Sequence, residues 1–300
     1  MLKIAYANIY QHPLPEGHRF PMLKYELIPK QLIYQGIITK DNLFEPRFCE
    51  EEIILLTHDF EYWQALKNCA LDASHIRRIG FPLTPELVKR EICIAQGTID
   101  CAQYAKEYGV AINVAGGTHH AFTNKGEGFC LLNDLAIATN YLLHHQLSKR
   151  ILIVDLDVHQ GNGTAQIFEQ NPAVFTFSMH GKNNYPFLKE KSDLDIELPD
   201  GICGADYLLL LKTHLPKIID QHRPDFIFYL SGVDILLTDK FGKLNLTLAD
   251  CKTRDEVVFE HCKNLKIPAV AVMGGGYSPE VADIVNAHCN TFMAAKEIFF

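Results

Sequence analysis

Asp155, Asp157 and His159 follow one another at two-residue spacing in ILIVDLDVHQGNGT, residues 151–164, and Asp234 closes SGVD at 231–234 after another apolar run. On an extended backbone, residues two apart leave from the same side. Asp157 and His159, joined by Asp234 from a neighbouring strand, would make three ligands for a divalent ion. Three protein ligands with one position open is the pattern of a catalytic zinc, not a structural one. A lone strand-end aspartate more often caps a helix, so the argument rests on the group. His119 and His120 come after a strand and two glycines, where imidazoles beside a metal can take and return protons near neutral pH. A second pair, His144-His145, sits in NYLLHHQLSKR among charged neighbours and reads as solvated helix surface. Tyr277 follows Gly274-Gly275-Gly276 and could donate a hydrogen bond to a carbonyl oxygen on which charge develops.

These groups need a scaffold that gathers them. Six apolar, β-rich runs alternate with helical segments: KIAY near residue 4, then 110–115, 151–158, 173–178, 225–232 and 268–276. Continuous apolar runs fit strands buried on both faces of a parallel sheet. Helix ends are readable between them. Thr84-Pro85-Glu86 begins a helix that Gly109 stops, Thr253 to Glu256 has capping-box spacing, and Ser278-Pro279 opens the last helix. The alternation predicts one α/β domain over residues 1–300, with a central, mainly parallel sheet between helical layers. Open parallel sheets bind ligands beyond the carboxyl ends of their strands. Five of the runs end there in unusual polar groups: Thr118-His119-His120, Asp155 to His159, Ser178 with His180, Ser231 to Asp234, and Gly274 to Tyr277.

Composition narrows the function classes. The net charge of −8 argues against nucleic acid as the main partner, because phosphate binding needs a basic face. No apolar run approaches a membrane span, and MLKIAYANIYQHP lacks the features of a secretory signal. Nine scattered cysteines without a C-x-x-C pair read as reduced thiols, and the expected location is the cytoplasm.

GGTHHAF, GFCLLNDLAIA, DLDVHQGNGT, SGVD and GGGY together resemble the zinc-dependent histone deacetylases of the arginase/deacetylase superfamily, in the family's order and over nearly the whole chain. HPLPEGHRFPMLKY and FSMHGKNNYPF are similar to bacterial relatives of class IV. The resemblance implies zinc on Asp157, His159 and Asp234, acid/base roles for His119 and His120, and a carbonyl donor in Tyr277. Asp155 would orient His119 and, with Ser178, help hold a monovalent cation, K+. Asn162 would contact His120 where several members carry Asp, making that pair a neutral hydrogen bond. Gly128, Phe129, Tyr185 and Gly275 would line a narrow tunnel for an acyl-lysine stem. No residue matches the acidic rim group that some relatives use to grip a peptide backbone.

The implied reaction is hydrolysis of an acetyl or longer acyl group from a lysine side chain of a protein or peptide. A small acylated amine, such as an acetylpolyamine, is the alternative substrate. A two-metal ureohydrolase would need further carboxylates, and Gly161 and Leu236 stand where those are expected. An inactive acyl-lysine binding module would be expected to have lost a histidine, a ligand or the tyrosine, and none is missing.

Overall fold

The computed structural model describes residues 1–300 and contains one eight-stranded sheet. Its strands are β1 (Lys3–Ala5), β2 (Leu43–Phe44), β3 (Val110–Asn113), β4 (Ile151–Asp155), β5 (Val174–Gly181), β6 (Leu194–Leu198), β7 (Phe226–Ser231) and β8 (Ala269–Met273). They lie in the order β2-β1-β3-β8-β7-β4-β5-β6, and every pairing is parallel. Every residue of β3, β4, β7 and β8 is buried. Successive side chains of a strand point to opposite faces, so complete burial requires cover on both. Helices provide it: Pro85–Tyr108 packs with Asp134–His144, while Leu248–Leu265 packs with Val281–Phe299 and Gly204–His222.

The strand order matters for the site. β3, β8, β7 and β4 are far apart in sequence but are consecutive neighbours in the sheet, so the segments leaving their carboxyl ends emerge side by side. The sheet is wholly parallel where a mainly parallel one was expected. The two strands missing from the sequence reading are its edges. β2 has only two residues, and β6, LDIEL, is largely half-buried, so neither presents a long apolar run.

Helix ends follow local chemistry, with two corrections. Thr84 Oγ1 accepts the Leu87 N–H at 3.1 Å, and Gly109 stops the helix at a φ of 89°. The capping box expected at Thr253 is formed at Thr247 and Asp250 instead. Thr253 lies inside that helix, because Arg254 and Asp255 behind it are fully buried and paired at 2.8 Å. The last helix begins at Val281, two residues beyond Pro279, because Ser278 is buried and hydrogen-bonded to Thr238. Strand ends also shift: β4 stops at Asp155, leaving Asp157 and His159 beyond it, while Ser178 and His180 lie inside β5.

Candidate active site

Because Asp157 and His159 sit past the end of β4, the strand pleat does not align them; hydrogen bonds do. Asp157 Oδ1 accepts from the His159 backbone N–H at 2.9 Å and also meets His159 Nδ1 at 2.9 Å. Asp234, from the segment after β7, places Oδ2 3.1 Å from the same Nδ1. The remaining carboxylate oxygens are fixed by backbone donors, Gly275 N–H to Asp157 Oδ2 at 2.7 Å and Val158 N–H to Asp234 Oδ1 at 2.9 Å. Backbone donors thus hold Asp157 at both oxygens and Asp234 at one, and a ligand atom from each of the three residues lies within 4.8 Å of the others. No other set of three such side chains in the molecule meets that spacing.

This donor set asks for positive charge. Burial and the adjacent Asp157 push the Asp234 carboxyl up to about 7. Burial disfavours charge on His159, yet hydrogen bonds to Asp157 and Asp234 hold its imidazole up at about 10. Two carboxylates and one imidazole nitrogen converging on a point are therefore a fit for a divalent cation. Gly275 must be glycine here, since a Cβ would lie 1.8 Å from Asp234 Oδ2.

The paired histidines lie alongside, their ring centroids 4.1 Å apart. Gly117, with φ at 73°, lets their loop pass the β8 end, where a Cβ would meet the Met273 carbonyl at 2.0 Å. Asp134 ties the loop down through Thr118 N and Oγ1 at 2.9 and 2.7 Å. Both histidines are buried, but their partners differ. His119 Nδ1 lies 2.7 Å from Asp155 Oδ2, and His120 Nδ1 lies 2.7 Å from Asn162 Oδ1. Burial works against charge on His119, and the Asp155 carboxylate more than offsets it, raising that imidazole. His120 has no such carboxylate; burial, then His119 and His159, lower it well below the usual range.

Tyr277 stands opposite, its ring 6.4 Å from that of His159 and 6.2 Å from that of Phe129. Burial, with Asp234 and Asp157 nearby, raises its phenol well above the usual value, so the hydroxyl stays a donor. Gly128, Phe129, Gly275, Tyr277 and the histidines surround an inner chamber of about 40 Å³. Phe129, Tyr185 and Tyr277 continue into an outer mouth of about 480 Å³. Asp155 and Ser178 are register neighbours on β4 and β5, and Ser178 Oγ lies 2.9 Å from His180 Nδ1. His144 and His145 are exposed, as solvated helix residues would be.

Three site residues escaped the sequence reading. Glu127 accepts the Asn162 Nδ2–H at 2.7 Å; its only signal was a charge between the two glycines of GEGFC. Asp239 accepts the Tyr277 N–H at 2.5 Å and the Phe241 and Gly242 N–H groups at 2.8 Å, holding the tyrosine loop. Lys24, fully buried, donates from Nζ to the Gly274 carbonyl at 2.8 Å, and burial lowers its pKa to about 8.

The histone deacetylase domain matches residues 18–292. The chain belongs to the histone deacetylase family. As a family member it is similar to an uncharacterized protein of Picosynechococcus, 43% identical over 99% of both chains. It is also 29% identical to histone deacetylase 2 of Arabidopsis thaliana, over 95% of this chain and 76% of that one. A histone deacetylase homologue of Aquifex aeolicus shares the fold at a TM-score of 0.83 and 23% identity, covering 98% of this chain and 83% of that one. Membership places this deacetylase-type protein among the hydrolases, and no helix in it is long and apolar enough to cross a membrane.

Proposed function

We propose that this chain is a zinc-dependent amidohydrolase that removes a short acyl group, acetyl foremost, from lysine side chains. The observation that carries the reading is the convergence of a three-ligand cluster, two differently partnered histidines and a tyrosine at the foot of an aromatic tunnel. Zinc held by Asp157, His159 and Asp234 would supply a Lewis acid for the amide carbonyl and make a nearby water easier to deprotonate.

The protein's own groups carry the rest. With Nδ1 of each histidine engaged by Asp155 or Asn162, Nε2 of each is left for the chamber that both rings line. His120, beside a neutral amide, is assigned as the base that takes the proton from water. His119, beside a carboxylate, is assigned as the acid that protonates the departing lysine amine. Tyr277 donates its hydroxyl to the carbonyl oxygen as negative charge develops there. Phe129 and Tyr185 flank the alkyl stem, and Gly128 and Gly275 leave the backbone close enough to line it. Asp155 and Ser178 are assigned to a monovalent cation, K+, that would buttress β4 and β5. The nine free thiols fit a reducing compartment, which supports a cytoplasmic location.

The inner chamber supports the choice of acyl group. About 40 Å³ accommodates a few atoms beyond the metal ligands, not an extended acyl chain. The test is a panel of acyl-lysine peptides and acetylpolyamines assayed with zinc-loaded protein. Release of acetate from acetyl-lysine is expected, and turnover of acetylpolyamines alone would move the assignment to small molecules.

A further inference from the structure

The outer mouth carries a charge pattern opposite to that of the chain. The protein has 28 Lys and Arg against 36 Asp and Glu, a net charge of −8. Yet the mouth is lined by Arg19, Arg78, Lys240 and Lys243 and by no carboxylate. Arg19, Arg78 and Lys240 are exposed and form no ion pair. Lys243 has a loose partner, Asp200, at 3.9 Å. Arg19 also has a defined seat, its guanidinium 5.2 Å from the Phe129 ring centroid and 5.7 Å from that of Phe241, at the point where tunnel becomes rim.

We propose that this basic rim selects acyl-lysine residues flanked by aspartate or glutamate; the inference rests on the amidohydrolase reading above. An acyl-lysine stem in the tunnel leaves the substrate backbone and neighbouring side chains at the mouth, within reach of the four cations. Any single exposed ion pair contributes little, because water and salt screen it. Like charges gathered at a concave, low-dielectric opening act together, however, and raise the local concentration and on-rate of an oppositely charged ligand. The same field disfavours an acetylated polyamine, whose remaining ammonium groups would lie against Arg19, Arg78 and Lys240. It disfavours lysine- and arginine-rich peptide segments for the same reason.

Three peptides with one central acetyl-lysine, flanked by acidic, neutral or basic residues, distinguish the possibilities, together with an acetylpolyamine. With zinc-loaded full chain in low salt, kcat/KM is expected to favour the acidic over the neutral peptide on the order of tenfold. The basic peptide and the polyamine should fall below the neutral one. High salt should compress this order, and the double variant Arg78→Glu/Lys240→Glu should invert the acidic-to-neutral ratio. An acidic-to-neutral ratio near one, or one indifferent to salt and to charge reversal, overturns the proposal. Fluorescence anisotropy of the labelled acidic and neutral peptides with metal-free protein provides a second readout. If no amide is hydrolysed but the acidic peptide binds more tightly, the hydrolase reading fails and the rim assignment stands. If all peptides are hydrolysed and bound alike, only the rim assignment fails.

Discussion

Asn162 and Glu127 are joined by a 2.7 Å hydrogen bond from Nδ2 to Oε1. A carboxylate accepts and does not donate, so the bond fixes which way the amide faces. Asn162 Oδ1 is thereby turned to His120, Nδ1 of that ring must carry its proton, and Nε2 keeps a lone pair. An uncharged asparagine thus sets a histidine tautomer through a second residue that does carry charge. In 15N spectra His120 is expected as the Nδ1–H tautomer. Glu127→Leu should mix the tautomers and lower kcat on the order of tenfold, part of the roughly 10²–10⁴-fold contribution of a positioned base. An unchanged tautomer and unchanged kcat would remove Glu127 from this role.

Tyr277→Phe removes one hydroxyl and keeps the ring that packs 5.0 Å from Phe241. Asp239 still holds the loop, because its contact is with the Tyr277 backbone. Metal content and thermal unfolding should therefore be preserved. Loss of one oxyanion donor typically costs about 2.7–4 kcal/mol, so kcat should fall on the order of 10²–10³-fold with little change in KM. A folded, metal-replete variant with near-normal kcat contradicts the assigned role.

Chain-length dependence follows from the inner chamber. Acetyl-lysine should be turned over readily, and a long fatty acyl-lysine on the same peptide should be poor, since a chamber of about 40 Å³ cannot enclose it. Steady-state comparison of the two decides it. Preference for the long chain would show that the chamber opens well beyond its present volume.

His58 should make stability depend on pH away from the proposed metal ligands. The ring is buried, with Nδ1 2.9 Å from the Phe122 carbonyl and Nε2 accepting the Asn133 N–H at 3.0 Å. Burial lowers its pKa from 6.5 to about 4. Between those values the unfolded chain binds a proton that the folded chain does not, so stability is complete above pH 6.5 and declines as pH falls toward 4. The decline attributable to this ring is about 1 kcal/mol per pH unit. Urea unfolding across this range should be less steep in pH for His58→Gln than for the native chain. Equal slopes would rule out His58 as a contributor.

What could be read from the sequence depended on how local the cause was. The central strands were legible because burial on both faces demands uninterrupted apolar residues, as in AVAVM and ILIV. The edges were not, since LDIEL needs only one covered face. Asp157, His159 and Asp234 stood out by residue type, but the hydrogen bonds that aim them come from Gly275 and Val158 backbone groups that no spacing reveals. Thr253 misled because a capping pattern says nothing about the tertiary burial of Arg254 and Asp255, the two residues that follow it. Glu127 and the four cations at the mouth were hidden for a related reason: each is an ordinary charged residue until the fold places it beside Asn162 or around the tunnel.

The most direct measurement is a zinc titration of metal-stripped protein, with bound metal and acetyl-lysine peptide hydrolysis followed together, for the native chain and Asp234→Ala. The native chain should bind one zinc per molecule, and turnover should rise in step and saturate at one equivalent. Asp234→Ala should remain folded, lose tight zinc binding and show no turnover at that equivalence point. Hydrolysis by the metal-stripped native chain at the full rate, or an Asp234→Ala variant that retains both its zinc and its turnover, would contradict the account.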